Sequence, residues 1–360
     1  MKNLLIITQK VDFNNDILGF FHEWIREFSK RWNKVTVICL KLGEYDLPDN
    51  VKVLSLGKEN LESRIWNLEF LNKTKYLFNF YKYIWRERKN YDAVFVHMNP
   101  KYVPLGWPVW KLLGKKISLW YAHGHVPLML KIADCLTDIA FASTPEGYRL
   151  KSKKLRIVGQ GIDVGLFKPN HQSPITNHQF KIVSAGRITQ SKDYRTLIDA
   201  VALLPSFERV QVEILGSPAK QADADYLKEM EDLIAKNNLV EVMRFAGPVA
   251  NKDIVPILQS ADLFVNMGHT GSLDKAVLEA MACGLPILTC NEAYESVLGE
   301  YKEMLMYPKK DYQKLAEKIK FIIGLSDSER ARMSADLREI VVCGHNLEGL
   351  INKITQILNG

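Results

Sequence analysis

Short runs of aliphatic and β-branched residues recur along this chain, separated by stretches whose apolar positions have helical spacing. This alternation is typical of parallel sheets that are covered by helices on both faces. In the first half it predicts seven strands, at residues 3–8, 35–40, 51–54, 92–97, 117–122, 139–142 and 155–158. In the second half it predicts six, at residues 180–185, 210–215, 242–246, 263–266, 286–290 and 304–307. The predicted fold class is therefore α/β, with one doubly wound, Rossmann-like sheet in each half.

The first helix has the clearest pattern. Its apolar residues recur every three or four positions and form one stripe: Ile17, Leu18, Phe21, Trp24, Ile25, Phe28 and Trp32. Such a stripe predicts an amphipathic helix packed on the sheet. We expect these aromatic side chains to lie in the core and not in a cofactor site.

A polar segment with two prolines, KPNHQSPITNHQ at 168–179, lies between two predicted strands and indicates an interdomain linker. We expect an N-terminal domain at 1–168 and a C-terminal domain at 169–342. Residues 343–360 are predicted to form a C-terminal helix, with packing back on the N-terminal domain as one option. The two sheets are expected to face a cleft, and ligands of such sheets bind beyond the carboxyl ends of the strands.

Composition narrows the possible classes of protein. Of the 360 residues, 47% are apolar and 25% are charged, which excludes a disordered chain or a coiled coil. No segment reaches the roughly 20 apolar residues of a membrane span, and the first strand is too short for a secretory signal. We therefore expect a cytoplasmic protein. The five cysteines are odd in number and form no close pair, so neither a disulfide framework nor a zinc site is expected.

Charge is divided unevenly between the halves. The first 170 residues hold 27 Lys and Arg against 16 Asp and Glu, whereas the other 190 hold 21 against 25. A basic half indicates contact with an anionic partner, which could be a phosphorylated substrate, a membrane surface or nucleic acid. The alternative is that surface lysines keep the domain soluble.

Cationic residues follow the first strand of the second half. Gly186 and Arg187 end the predicted strand, and Lys192 precedes a predicted helix. A guanidinium, an ammonium and the N–H groups of a helix start are the groups that bind a diphosphate. The alternative is that both charges are simply solvated.

The segment Asn266 to Lys275 is rich in glycine and hydroxyl groups, and it joins a strand to a helix. Its backbone could hold phosphate and sugar hydroxyls. In the following helix Glu279 lies among apolar residues, where an ionised carboxylate is costly unless it is paired or hydrogen-bonded. Two ribose hydroxyls would satisfy Glu279, and so would an internal salt bridge.

The strand ends of the first half carry weaker signals. Gly19 lies at the start of the first helix, where it either lets a ligand approach the backbone or accommodates packing behind an N-cap at Asn15 or Asp16. His97 and His123 each follow a predicted strand and could hydrogen-bond to a ligand. No nearby cysteine or acidic cluster completes a zinc site around them.

Several motifs together resemble the retaining nucleotide-sugar glycosyltransferases of family four, the group 1 type, which have the GT-B fold. The motifs are Gly186-Arg187-Ile188 with Lys192, VMRFAG at 242–247, ADLFV at 261–265, LEAMACGLPI at 278–287, and VGQGID at 158–163 continuing to Pro169. The resemblance spans nearly all of the second half. It is looser in the first half, where the Gly19 turn and His123-Gly124 carry it.

The resemblance implies a UDP- or GDP-sugar donor held by the C-terminal domain and an acceptor held by the N-terminal domain. Arg187 and Lys192 would bind the diphosphate, and Glu279 would bind the ribose. Gly271, Ser272, Leu273, Asp274 and Lys275 would contact sugar and phosphate, and His123 with Gly19 would lie at the catalytic centre. Family members retain anomeric configuration without a metal or other cofactor.

One position departs from the family pattern. A second glutamate is usual eight residues before the ribose-binding one, followed by Gly-Phe-Gly, but this chain has Gly271, Ser272, Leu273 and Asp274 there. The carboxylate expected to hold the donor sugar is thus missing. Either Asp274 or Lys275 substitutes for it, or the enzyme prefers an unusual sugar.

Aromatic and basic residues are concentrated at 61–89. Such a helix could lie on an anionic membrane or bind a lipid-linked acceptor. The alternative is a helix packed on the first sheet with a solvated basic face, and no nucleic-acid module is recognisable. We predict a glycosyltransferase acting on a glycan or lipid-linked acceptor; a nucleotide-sugar epimerase of this fold and a non-catalytic sugar-nucleotide sensor are the alternatives.

Overall fold

The computed structural model describes residues 2–15, 17–60, 66–170, 179–205, 209–268 and 271–360; for residues 60 and 66–71 it describes the backbone alone. The described chain forms two compact units, Met1–Gly161 with Leu347–Gly360, and Ile162–Asn346. The first division therefore falls at Gly161, seven residues before the predicted boundary at Lys168. Most of the predicted linker, residues 171–178, lies outside the described residues.

The first unit is built on one parallel sheet. Its strands are β1 (Asn3–Val11), β2 (Lys34–Leu42), β3 (Val51–Ser55), β4 (Ala93–His97), β5 (Lys116–Trp120), β6 (Ile139–Ala142) and β7 (Leu155–Ile157), in the order β3-β2-β1-β4-β5-β6-β7. Its helices are α1 (Phe20–Ser29), α2 (Trp66–Arg86), α3 (Tyr102–Leu112) and α4 (Leu128–Leu136). All seven strands predicted for this half are confirmed, with ends that shift by up to three residues.

The second unit has a five-stranded parallel sheet. Its strands are β8 (Phe180–Ala185), β9 (Val210–Leu215), β10 (Met243–Gly247), β11 (Leu263–Asn266) and β12 (Ile287–Thr289), in the order β10-β9-β8-β11-β12. Its helices are α5 (Tyr194–Ala202), α6 (Gln221–Lys236), α7 (Val255–Gln259), α8 (Lys275–Ala282), α9 (Glu295–Leu298), α10 (Lys302–Leu305), α11 (Tyr312–Ile323) and α12 (Asp327–Gly344). The strand predicted at 304–307 is wrong: α10 occupies its start, and only an isolated bridge from Met306 to Thr289 remains.

The last helix, α13 (Leu347–Asn359), belongs to the first unit. The indole nitrogen of Trp32 donates a hydrogen bond to the Thr355 hydroxyl at 3.2 Å, and Lys116 Nζ donates to the carbonyl of Ile357 at 2.9 Å. The apolar residues of α13 pack into the same core as the stripe of α1. The chain therefore ends in the unit in which it begins.

Most of the predicted stripe of the first helix is buried as expected, with two exceptions at its start. Phe21, Trp24, Ile25 and Phe28 are at most 1% exposed. Ile17 is 47% exposed and Leu18 is partly exposed, because the helix begins only at Phe20 and both residues lie on the turn before it.

Candidate functional site

Polar and charged residues meet at the carboxyl ends of β8, the central strand of the second sheet, and of its neighbour β11. These strands are parallel neighbours, so the segments that follow them leave the same edge of the sheet. Gly186 follows β8, and Gly268 lies two residues beyond β11. This edge is where ligands of open α/β sheets bind.

Glycines keep this edge open. Gly216, which follows β9, has a φ of +148°, and a Cβ there would lie 1.9 Å from the carbonyl oxygen of Gly186. A Cβ on Gly186 would lie 3.2 Å from Cε of Lys192, and one on Gly268 would lie 3.2 Å from its Nζ. The lysine side chain therefore passes between two positions that have no side chain of their own.

Lys192 and Asp274 form an ion pair at this edge. Nζ of Lys192 lies 2.9 Å from Oδ1 of Asp274, and the side chains are 16% and 17% exposed. The other carboxylate oxygen accepts a hydrogen bond from Nδ2 of Asn266 at 3.0 Å, and the Asp274 carbonyl accepts one from the Tyr294 hydroxyl at 2.7 Å. These contacts fix an ammonium group in a partly buried position at the strand ends, within reach of solvent.

Arg187 is not part of this cluster. Its side chain is exposed and forms no ion pair or hydrogen bond with any described residue. The predicted pair of cations therefore differs in setting: Lys192 is held in place by a carboxylate, whereas Arg187 extends from the turn after Gly186 into solvent. A charge in that position is well screened.

Glu279 lies in the second turn of α8, the helix that Asp274 precedes. It is 5% exposed, and its Oε1 accepts a hydrogen bond from Nδ2 of Asn251 at 3.0 Å. Burial raises the pKa of Glu279, while the Lys275 ammonium one turn earlier and the Asn251 hydrogen bond lower it. Burial also lowers the pKa of Lys275, and the Glu279 carboxylate opposes that shift. Oε2 forms no hydrogen bond within the described part of the chain.

The segment before α8 is held in position by a hydrogen bond from a residue outside the segment. The carbonyl of Ser272 accepts a hydrogen bond at 2.7 Å from Nδ2 of Asn291, which follows β12 and is fully buried. Leu273 is 3% exposed and packs in the core, so a contact of this residue with sugar or phosphate would come from its backbone. Gly271 has a φ of +74°, a conformation strained for glutamate. His269 and Thr270 lie outside the described residues.

In the first unit, two of the candidates are explained by packing. The His97 ring stacks on Phe21 with centroids 3.8 Å apart, and its Nδ1 lies 3.2 Å from the Thr8 hydroxyl. Gly19 has helical torsion angles, and a Cβ there would lie 2.5 Å from the carbonyl oxygen of Asn15. Gly19 is thus required by the close approach of the preceding turn, which Asn15 closes by accepting from the Leu18 amide at 2.8 Å. Asp16, the other proposed cap, lies outside the described residues.

His123 differs from His97 because it is partly exposed. It follows β5, and its Nδ1 accepts a hydrogen bond from the amide of His125 at 3.0 Å. Its own amide donates to the carbonyl of Gly147 at 2.8 Å. The acceptor role of Nδ1 leaves the proton on Nε2, so this ring can donate a hydrogen bond through that nitrogen.

Several side chains of the site were missed in the sequence. Asn266 begins the segment singled out in the sequence, but only the backbone of that segment was considered; Asn291 lies just after a strand end, where a polar residue could have been noted. Asn251 and Tyr294 come from segments with no distinguishing local pattern. Within the described ranges, no group of three or more His, Cys, Asp or Glu could hold a metal ion, and no helix is long and apolar enough to cross a membrane.

Comparison with known proteins relates the second unit to a family of sugar-transferring enzymes. Residues 168–339 match the family model for glycosyl transferases group 1. Mannosylfructose-phosphate synthase of Agrobacterium fabrum is 27% identical over 41% of this chain and 37% of its own length. D-inositol 3-phosphate glycosyltransferase of Jonesia denitrificans is 26% identical over 51% of this chain and 47% of its own length. The chain thus spans less than half the length of these curated relatives.

A solved structure extends the likeness to the whole fold. Anabaena HepE in complex with UDP-glucose superposes with a TM-score of 0.77 and 17% identity, and the match covers 100% of both chains. At this identity the likeness shows the fold alone. It confirms the predicted α/β architecture of the GT-B class, with two parallel sheets flanked by helices.

Proposed function

We propose that this chain, whose residues 168–339 belong to the group 1 glycosyl transferases, transfers a sugar from a UDP- or GDP-activated donor to an acceptor. The observation that carries the proposal is the ion pair of Lys192 and Asp274 at the carboxyl ends of β8 and β11, directly before α8. The UDP-glucose complex of HepE, a protein of the same fold, supports UDP as the first nucleotide to test.

The diphosphate would lie between Lys192 and the start of α8. The Asp274 side chain turns toward Lys192 and Asn266 and does not cap the helix. The Asp274 side chain therefore accepts no hydrogen bond from the backbone N–H groups of the first turn. Such N–H groups at the start of a helix favour an anion. Lys192 supplies a positive charge beside them, and Arg187 adds a second from the solvent side.

Glu279 would bind the ribose. One of its oxygens is already held by Asn251, which orients the carboxylate, and the other is left to accept from a ribose hydroxyl. Burial makes an incompletely satisfied carboxylate unfavourable in the unliganded protein. A hydroxyl donor at Oε2 would relieve that cost, so binding energy would be gained at a group whose position is already fixed.

The proposed reaction retains anomeric configuration and uses no metal. As the bond between the anomeric carbon and the diphosphate oxygen breaks, negative charge grows on the diphosphate. Lys192, Arg187 and the backbone donors of α8 would stabilise that charge in place of a divalent cation. His123 of the first unit, which can donate from Nε2, is proposed to contact the donor sugar near the reacting carbon.

The sugar would be selected without the carboxylate that the family pattern has at position 271. Gly271 adopts a backbone conformation strained for glutamate, so the loop is built differently from that pattern. Asp274 is a weaker acidic partner than a free carboxylate, because Lys192 neutralises its charge and Asn266 holds its second oxygen. We therefore propose that the donor sugar is one whose hydroxyls need no acidic partner at this position.

A two-step experiment tests the proposed function. The first step measures the unfolding temperature with UDP, GDP and their common sugar conjugates; at least one is expected to raise it. The second step incubates that donor with a panel of glycan and lipid-linked acceptors, and a transferred sugar of retained configuration is expected.

An epimer formed without acceptor would establish the epimerase instead. Tight binding without turnover across the panel would establish the sensor, and the absence of binding by any nucleotide would overturn all three.

The acceptor is proposed to be a glycan or a lipid-linked saccharide bound by the first unit, and nucleic acid is not proposed as a partner. The excess of Lys and Arg in the first 170 residues supports an anionic acceptor or surface.

A further inference from the structure

Helix α2 has two unlike faces. On the inner face Phe80 and Ile84 are at most 1% exposed, and the Phe80 ring lies 6.1 Å from that of Trp110 in the core beneath the first sheet. On the outer face Phe78, Tyr81 and Trp85 are 69%, 37% and 49% exposed; we call these three residues the aromatic stripe. The inner face thus packs the helix into the fold, whereas most of the Phe78 side chain and about half of the Trp85 side chain remain exposed.

The geometry of the aromatic stripe is that of one helix face. Phe78 and Trp85 are seven residues apart, so they lie on the same side of the helix about 10 Å from each other along its axis. Tyr81 lies between them and donates a hydrogen bond from its hydroxyl to the carbonyl of Leu105 at 2.9 Å. Leu77, beside the stripe, is 40% exposed. A contiguous exposed apolar surface of this kind marks an interaction site.

Basic residues border the aromatic stripe. Lys75 and Lys82 are exposed, and each precedes a stripe residue by three positions on the helix. At the end of the helix, the Arg88 guanidinium lies 4.8 Å from the centre of the Trp85 ring. Residues 72–89 hold six Lys or Arg and a single acidic residue, Glu87. Glu87 is 2% exposed and is ion-paired with Lys52 at 2.8 Å, so it contributes no exposed negative charge.

We propose that the outer face of α2 docks on an anionic lipid bilayer. Tyr and Trp rings are favoured at the depth of lipid headgroups, and a helix with an apolar stripe and basic flanks lies in the plane of the membrane surface. Lysine stems can extend along the apolar boundary while their ammonium groups reach lipid phosphates. A second copy of this chain is a poorer partner for this face, because the exposed charges that border the aromatic stripe are positive and two such borders would repel each other. The proposal does not rest on the donor or on the transfer reaction.

Vesicle co-sedimentation of the full chain tests this proposal. We expect binding to phosphatidylcholine vesicles that contain a third phosphatidylglycerol, release of the protein by high salt, and little binding to phosphatidylcholine alone. The double variant Phe78→Ala/Trp85→Ala should weaken binding by about tenfold or more because it removes the inserted rings. Lys82→Glu should weaken it by at least about fivefold. Phe321→Ala is the matched control, since Phe321 is a 42% exposed aromatic on a helix of the second unit; it should bind like the wild type.

A second measurement separates membrane insertion from other contacts. Tryptophan emission should shift to shorter wavelength on addition of the anionic vesicles, and Trp85→Phe should lose the shift while it keeps binding. Equal binding to both vesicle types, or binding unaffected by the double variant, would overturn the proposal. A concentration-dependent dimer that the double variant abolishes would assign the face to a second copy instead. Binding to RNA that competes with the vesicles but ignores the double variant would assign it to nucleic acid.

Discussion

The two sheets have the same architecture, yet the polar residues at their strand ends serve different purposes. In the first unit, His97 stacks on Phe21 inside the core and Gly19 accommodates a tight turn. In the second unit, Lys192 and Asp274 form a partly exposed ion pair that glycines leave accessible. Position at a strand end therefore does not identify a ligand site by itself. Access to solvent distinguishes the Lys192–Asp274 pair from the buried His97, and in the first unit His123 shares that access.

The largest effect on stability is expected from adding a side chain at Gly216, where the backbone of Gly186 approaches closely. Gly216→Ala places a Cβ 1.9 Å from a backbone oxygen at a φ of +148°, which should cost about 3 kcal/mol or more of folding free energy. Gly19→Ala meets an oxygen at 2.5 Å but keeps helical torsion angles, so it should cost about 1 to 2 kcal/mol. Scanning calorimetry measures both, with Gly324→Ala as a near-neutral control. Equal costs for Gly216→Ala and Gly324→Ala would contradict the described packing.

The next effect concerns the charge at the strand ends. Lys192→Ala should weaken nucleotide binding by about 2 to 5 kcal/mol, because it removes the cation and leaves the Asp274 carboxylate facing the phosphates. Removing Asp274 as well should restore part of the loss. Lys181→Ala is the matched control: Lys181 pairs with Glu213 at 3.0 Å but lies near the opposite end of β8. Calorimetric titration with UDP and GDP measures the affinities. A similar loss in both lysine variants would show that the site does not lie at the carboxyl end.

Glu279→Gln should weaken nucleotide binding by about 1 to 3 kcal/mol, because a neutral amide accepts ribose hydroxyls less strongly than a carboxylate. It should also change the dependence of stability on pH. The pKa of Glu279 is raised in the folded protein, so its contribution to stability is present below the ordinary pKa of 4.5 and is lost as pH rises through the folded-state pKa. The variant should therefore gain stability relative to wild type as pH rises above 4.5. Parallel pH profiles in thermal unfolding would contradict the raised pKa.

Arg187→Ala should have a small effect on nucleotide affinity, about 1 kcal/mol or less, because the side chain is exposed and screened. The effect should shrink further at high salt. The family resemblance alone gives Arg187 and Lys192 similar weight, whereas their different settings in the structure separate them. A loss as large as that of Lys192→Ala would mean that Arg187 becomes enclosed when the nucleotide binds.

The smallest effect is expected from chelation. Transfer measured with EDTA should match transfer measured without it, because cationic side chains and helix donors are proposed to stabilise the leaving diphosphate. Activity that EDTA abolishes and Mg²⁺ or Mn²⁺ restores would overturn the metal-free mechanism.

The sequence predicts the two sheets well because buried parallel strands leave a strong local signal. Twelve of the thirteen predicted strands are present; the exception, at 304–307, is a short apolar run that continues from a helical turn. Short runs of this kind do not distinguish strand from helix by periodicity. The search for polar residues after predicted strands also led to Lys192, Asp274 and Glu279, which lie in one unit.

The contacts of several side chains depend on residues distant in sequence, and the sequence therefore does not predict them. Nothing near Asn251 indicates that it will hold the Glu279 carboxylate, since 28 residues separate them. Leu273 belongs to a loop of binding residues in the family pattern, but its apolar side chain is buried in the core. On α2, one face is buried in the core and the opposite face is exposed, so the packed interpretation describes only the inner face, and the outer face is the one proposed to dock on a membrane.

Hydrogen–deuterium exchange with and without saturating UDP or GDP tests the central claim most directly, because it reports on both units at once. If the second unit holds the nucleotide, amides at 186–192 and 271–279 should exchange more slowly with the ligand, and those at 97–99 should be unchanged. Slower exchange confined to strand ends of the first unit would contradict the account.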